Sequence, residues 1–382
     1  MKSNWLFNCK TDLFLLGLPV WLCWIVFFLL PDSLNYIDVP LWVWVVFILG
    51  IDVSHVWSTI FRTYLDREEF SRHKLTLCLT PVIVLGTSFG VALLSFHWFW
   101  RILAYLAVFH FIKQQCGFMI LYKIKSGDFT NQQVLSDKRV IYLSMLYPLA
   151  YWHLVPSRNF NWFIKNDFIF LHQWFQHSQL MLMLSITNIL YWLIILAWIG
   201  QEIWIKRKAR ISISTGKIIW VLTTTANWYL GIIFFNSDLI FSVSNIVAHG
   251  VPYLVLITWY VIKKKDLLRQ VSLRYWIWSR WILWIVGGSL LLAFFEEYGW
   301  DLFLNGERQS FFSYFLPYPF ELLTNPIGQA LAMAMLSLPQ ITHYIIDGVI
   351  WKNNKKNPYL KSILGIGGNC CYNHYKVNIE LT

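Results

Sequence analysis

The sequence predicts an all-α polytopic integral membrane protein with about ten transmembrane helices and both termini in the cytoplasm. Its composition, the length of its apolar runs and the distribution of its basic residues all support this fold class. Of its 382 residues, 57% are hydrophobic and only 13% are charged, whereas a soluble domain carries about 25% charged residues. A soluble protein this apolar would have too little polar surface to stay dispersed, which a bilayer does not require.

Apolar runs of about 20 residues, the length that crosses the hydrocarbon of a bilayer, recur along the chain. They are too long for barrel strands, and a helix satisfies its own backbone hydrogen bonds in lipid. The predicted spans are 13–31, 40–60, 75–95, 99–121, 140–156, 179–203, 218–235, 239–261, 276–294 and 326–350. With residues 352–382 as a short cytoplasmic tail, the chain forms a single transmembrane domain.

The basic residues test this segmentation independently. If the N-terminus is cytoplasmic and the ten spans alternate, 26 of the 31 Lys and Arg residues fall on the cytoplasmic side and four fall outside. Basic residues are retained on the cytoplasmic side of membranes, so this split supports both termini inside. The net charge of +11 then follows from topology, and we predict no nucleic-acid partner. The expected location is a plasma or inner membrane.

Four of the ten histidines lie within predicted spans, one each in the second, fourth, eighth and tenth: His55, His110, His249 and His343. The predicted topology makes these four helices run in the same direction. A rise of 1.5 Å per residue places the histidines roughly 7 to 18 Å below the inner boundary. Strongly polar groups at such depth cost a few kcal/mol unless they have partners, which makes them functional candidates.

Each of these histidines has polar companions three or four residues away, and therefore on the same helical face. The companions are Asp52 and Thr59 for His55, Lys113 and Gln114 for His110, Asn245 for His249, and Asp347 for His343. A metal-binding imidazole needs its second ring nitrogen held by a polar partner, and these stripes could supply one. Arg62, further along the His55 stripe, is expected to extend to the inner membrane surface.

The pattern predicts a set of site residues. The predicted metal ligands are His55, His110, His249, His343 and Asp52, and the residues predicted to act in catalysis or to position a substrate are Asp347, Lys113, Gln114 and Asn245. Neutral imidazole suits iron, zinc and copper, and carboxylates extend the choice to a pair of irons. We therefore expect iron, as one ion or a di-iron pair, or zinc.

A metal site beside lipid favours an apolar, lipid-like substrate such as an acyl chain or an isoprenoid, with membrane lipid as the surrounding partner. The leading hypothesis is an iron-dependent oxygenase or desaturase. The architecture and the four histidines resemble the poly-histidine membrane oxygenases, which include fatty-acid desaturases and hydroxylases and carotenoid-cleaving enzymes. The clustered H-x-x-x-H boxes of the desaturases are absent from the spans, so no residue role is carried over from that group.

Three alternatives remain open. A proton-coupled transporter could use the His, Asp and Lys residues of the spans as a relay. A membrane lipid acyltransferase could pair His249 with Asn245. A haem-binding electron carrier could use two of the histidines as axial ligands. Protein partners are not indicated by any motif.

Overall fold

The computed structural model describes residues 3–30, 39–127, 131–156, 162–209, 214–269, 275–318, 322–352 and 354–366, and within these ranges the chain forms helices and no strand. The all-α prediction is confirmed. Six helices in the described ranges are long and apolar enough to cross a membrane, and this supports a membrane protein. They are Cys9–Leu29, Leu41–Arg62, Lys74–Leu94, His177–Lys208, Asp238–Leu268 and Ser279–Asn305. The count of ten and the cytoplasmic termini remain predictions.

The other four predicted spans also fall on helices. These are Phe96–Ser126, Asn131–Leu154, Thr215–Trp228 with a π-helical continuation Tyr229–Phe234, and the consecutive pair Pro326–Leu336 and Leu338–Ile350. Phe96–Ser126 extends beyond both predicted bounds, and Asn131–Leu154 begins nine residues before its predicted start, because hydropathy marks the part of a helix in hydrocarbon rather than its ends. The last predicted span is two helices, which meet at Ser337. Pro339 lies in the first turn of the second helix, where its missing N–H disrupts no hydrogen bond.

The outward faces of the long helices are apolar. On the helix His177–Ala209, the exposed side chains Leu182, Ile189 and Leu196 recur every seven residues, which places them on one face. Trp192 and Leu193 between them are exposed as well. A continuous apolar face of this kind is unfavourable in water and favourable against lipid.

The chain divides into two compact units. The first comprises residues Met1–Asp38, Val108–Pro252 and Tyr359–Thr382, and within it the helix Asn131–Leu154 packs against Thr215–Trp228 and His177–Ala209. Its interior contains a group of buried charges that we call the lysine cluster: Lys123, Asp137, Glu202 and Lys217. Asp137 Oδ2 lies 2.7 Å from Lys123 Nζ and 3.1 Å from Lys217 Nζ, and Lys217 Nζ lies 2.8 Å from Glu202 Oε2.

The second unit comprises residues Val39–Ala107 and Tyr253–Pro358. Here the helix Leu41–Arg62 packs against Tyr275–Trp300 and Leu338–Ile350, and Lys74–Leu94 packs against Pro326–Leu336.

The expectation that Arg62 extends to the membrane surface is wrong. The side chain is fully buried, and its guanidinium carbon lies 3.8 Å from the ring centroid of Tyr260 and 3.6 Å from that of Trp351. It also donates a hydrogen bond to the carbonyl of Ile350. Stacking on two aromatic faces stabilises a desolvated guanidinium, so the cation stays inside the protein.

Candidate metal centre

His55 and His343 approach each other from two helices of the second unit. Their ring centroids are 5.2 Å apart, with the rings edge to face at 81°. His55 lies just after a π-helical stretch, Trp44–Val53, at the point where α-helix resumes. A π-helical stretch changes the direction in which the following side chains project, and such stretches are frequent at functional sites.

A chain of hydrogen bonds orients His343. Its Nδ1 lies 2.8 Å from Thr59 Oγ1, which lies 2.9 Å from the hydroxyl of Tyr253, and that hydroxyl donates to Asp347 Oδ1 at 2.6 Å. The single hydroxyl proton of Tyr253 is used in its bond to Asp347. Thr59 therefore donates to Tyr253, and Nδ1–H of His343 donates to Thr59. This order places the proton of the neutral ring on Nδ1 and leaves the lone pair of His343 on Nε2.

His55 is oriented by its own helix. Its Nδ1 lies 3.3 Å from the carbonyl oxygen of Ile51, and a carbonyl only accepts, so the proton of the neutral ring is on Nδ1 and the lone pair is on Nε2. Asp52 Oδ1 lies 3.8 Å from the same Nδ1, and about a third of the Asp52 side chain is exposed. Asp52 is therefore on the Nδ1 side of this ring, and its role as a ligand stays a prediction.

His110 and His249 form a second close pair, this time within the first unit. Their ring centroids are 5.0 Å apart at 83°, and the ring of Phe111 lies 4.5 Å from that of His249. Both histidines are buried. The aromatic contact limits the orientations available to the imidazole of His249.

Two adjacent glutamines hold the helix that carries His249. Gln114 Nε2 donates to the carbonyl of His249 at 2.8 Å, and Gln115 Nε2 donates to the carbonyl of Ala248 at 3.2 Å. Pro252, inside the same helix, has no N–H for the Ala248 carbonyl four residues earlier. Gln115 supplies that missing donor. The proline thus creates the acceptor that fixes the backbone beside His249.

The structure brings the four histidines together. Each offers one ring nitrogen as a ligand atom, and these four atoms all lie within 4.8 Å of one another. All four side chains are buried, with exposures of 4% or less. Around one ion with metal–nitrogen bonds of about 2.0–2.1 Å, ligand atoms are at most about 4.2 Å apart. The spread of up to 4.8 Å exceeds this limit by about 0.6 Å, so the group could hold one metal ion once the ligand atoms shift inward by a few tenths of an ångström.

The remaining predicted site residues have separate positions. Asn245 is buried one turn before His249. Lys113 is half-buried, with its Nζ 5.5 Å from the ring centroid of Phe109 on its own helix. Their roles in catalysis or substrate binding stay predictions. Tyr253 was missed at the sequence level, although its position four residues after His249 placed it on a histidine stripe.

Comparison with protein-family models, with curated proteins and with solved structures finds no match to this chain.

Proposed function

We propose that this chain is an intramembrane metalloenzyme that binds one iron ion through His55, His110, His249 and His343 and carries out dioxygen-dependent chemistry on an apolar, lipid-like substrate. The convergence of the four histidine ligand atoms within 4.8 Å carries the proposal. A cation bound by all four imidazoles would account for this convergence.

The hydrogen bonds around two of the histidines support a metal at Nε2. In both His55 and His343 a fixed acceptor takes the Nδ1 proton, which leaves Nε2 as the nitrogen with a lone pair. Metal-ligating histidines usually have their other ring nitrogen held in this way, which fixes the ring and raises its basicity.

The nearby carboxylates support a divalent ion. Four neutral imidazoles leave its charge of +2 uncompensated, which is unfavourable inside a membrane. Asp347 is connected to His343 through Tyr253 and Thr59, and Asp52 lies beside His55. The negative charges of these two carboxylates compensate the +2 charge of the ion, while the four imidazoles bind it directly.

The number of ligands favours iron over zinc for an enzyme. Four imidazoles complete the tetrahedral shell of zinc, and catalytic zinc sites usually have three protein ligands and one open position. Six-coordinate iron bound by four imidazoles has two coordination positions left open. Open positions on histidine-ligated iron are typical of oxygenases. When bound, iron would supply dioxygen activation, and the residues of the chain orient the ligands and exclude water. The substrate is taken to be lipid-like because the site lies in a protein with apolar, lipid-facing helices.

Isotope incorporation tests this proposal. The chain is reconstituted with ferrous iron in bilayers made from the lipids of the expressing cells, supplied with a reductant and ¹⁸O₂, and the lipids are analysed by mass spectrometry. We expect products that contain ¹⁸O or have lost two hydrogens, together with dioxygen consumption. His249→Gln should abolish both. His153→Gln is the matched control, because His153 is a buried histidine bonded to its own helix through Leu149 O.

Two outcomes would contradict the proposal. One is an iron-loaded wild type that consumes no more dioxygen than His249→Gln. The other is a folded, metal-free wild type that carries protons into liposomes in a manner altered by Asp347→Asn. The second result would support the relay of a transporter instead.

A further inference from the structure

A small cavity lies inside the first unit, against the helix Thr215–Trp228. Its volume is about 10 Å³, and its polar lining consists of Gln115, Thr223, Thr224 and Asn227, with Trp220 and Trp228 among the apolar walls. A cavity of this size holds one water molecule, provided that two to four polar groups face it.

Asn227 is the group that the structure leaves unexplained. The residue is fully buried, and neither its side-chain Nδ2 nor its Oδ1 has a hydrogen-bond partner among the described residues. A buried amide that lacks both donor and acceptor partners is strongly unfavourable and is rare in native proteins. Both atoms belong to a side chain that lines the cavity.

Thr223 lies four residues before Asn227, on the same face of the helix. Its Oγ1 accepts a hydrogen bond from Trp21 Nε1 at 3.1 Å, which leaves the hydroxyl proton for another acceptor. The neighbouring polar groups are already engaged, since Thr224 Oγ1 lies 2.9 Å from Gln115 Oε1 and 3.0 Å from Trp220 O. The cavity therefore offers two donors and one acceptor from Asn227 and Thr223.

We propose that this cavity binds a single, long-lived water molecule. The water donates to Asn227 Oδ1 and accepts from Asn227 Nδ2 and from the hydroxyl of Thr223. A bare cation could bind Asn227 Oδ1 but would repel the adjacent Nδ2–H group, and an apolar occupant would leave both atoms unbonded. A molecule that both donates and accepts, with the volume of one water, meets all three requirements.

The position of this water gives it a structural role. The cavity also contacts Gln115, whose Nε2 donates to the Ala248 carbonyl. The bound water thus completes the polar packing behind the glutamine that holds the helix of residues Asp238–Arg269. The inference does not depend on the proposed enzymatic function.

Water-edited solid-state NMR of the uniformly ¹⁵N-labelled full chain in bilayers tests the proposal. The experiment measures magnetisation transfer from water to each side-chain amide, and the Asn227 signal is assigned by its loss in Asn227→Leu. We expect transfer to Asn227 several times faster than to the backbone amides of the buried residues Val221 and Phe241. Thr223→Val should slow it at least twofold.

Thr225→Val is the matched control, because Thr225 is a buried hydroxyl on the same helix that donates to Val221 O. It should leave the transfer unchanged. Transfer to Asn227 no faster than to Val221 in the wild type would overturn the proposal, even if the leucine variant failed to fold. A shift of the Asn227 amide resonance when sodium replaces choline in the buffer would overturn it in favour of a bound ion.

Discussion

The lysine cluster and the histidine group are both buried sets of four polar side chains, but they differ in charge. In the lysine cluster, two ammonium groups face two carboxylates at 2.7–3.1 Å, so the charges balance within the set. The histidine group contains four rings of the same kind with ligand atoms within 4.8 Å, and it contains no charge of opposite sign.

This difference distinguishes a structural network from a candidate binding site. Ion pairs with matched charges are satisfied by one another once the helices pack, and removing one partner leaves an uncompensated buried charge. Four imidazoles with ligand atoms this close together could hold a metal ion, since imidazole nitrogen is a ligand for iron, zinc and copper. Burial alone therefore does not identify function, since Lys123 and Lys217 are as buried as His249.

The largest effect is expected from losing a ligand. His343→Gln should reduce bound metal from about one ion per chain to below a tenth of that, because a structural metal site binds its ion with a free energy on the order of 10 kcal/mol that depends on a complete ligand set. The chain should remain folded. Elemental analysis of purified protein measures this, with His153→Gln as the control. Equal metal content in His343→Gln and His153→Gln would contradict the proposed difference between the histidine group and the lysine cluster.

The next largest effect concerns the lysine cluster. Asp137→Ala removes the acceptor shared by Lys123 and Lys217 and leaves the buried charges unbalanced, which should lower the free energy of unfolding by about 3–5 kcal/mol. Metal content per folded chain should not change. Reversible unfolding in mixed detergent micelles measures the loss.

Ser144→Ala provides the comparison on the same helix. It removes a buried hydroxyl that bonds Val140 O and Thr225 and should lower the free energy of unfolding by only about 1 kcal/mol. If Asp137→Ala cost no more than Ser144→Ala, the lysine cluster would not be the balanced network described above.

A smaller effect should follow from Tyr253→Phe, which keeps the ring and removes the hydroxyl between Thr59 and Asp347. Loss of such a partner typically lowers metal affinity by roughly 10–100-fold. Chelator competition measures the change. Tyr260→Phe is the control on the same helix, because its hydroxyl donates to Glu69. An affinity loss shared equally by both variants would indicate a general packing defect.

The smallest effect concerns a carboxylate outside the candidate spans. Asp167 accepts hydrogen bonds from the N–H groups of Trp162 and Phe163, yet burial raises its pKa above the usual value. The folded state therefore binds this proton more tightly than the unfolded state, so its contribution to stability is present at low pH and is lost as the pH rises through the folded pKa. Asp167→Asn should remove that dependence from thermal unfolding curves. An unchanged pH profile would contradict this account.

The sequence predicted the features that depend on one helix at a time. The all-α class follows from run length and composition, and the similar depth of the four histidines follows from counting residues along each span. Their convergence was inferred from that depth and is now observed. The i, i+4 pattern also placed Asp347 and Thr59 beside the histidines.

Apart from the convergence of the four histidines, features that depend on contacts between helices could not be predicted. Arg62 was expected at the surface, because its two stacking partners, Tyr260 and Trp351, are distant in sequence. Predicting the hydrogen bond from Gln115 to the carbonyl of Ala248 would likewise have required knowing which helix faces the glutamine. Hydropathy did not predict that the last span divides at Ser337, because the segments on both sides of this residue are apolar.

X-ray absorption at the iron K-edge of the purified, iron-loaded chain tests the central claim most directly, because its fine structure counts the imidazole ligands around the metal. We expect about four imidazole nitrogens around one iron and no second iron nearby. A shell with two or fewer imidazoles, or one dominated by carboxylate oxygens, would contradict a shared site on His55, His110, His249 and His343.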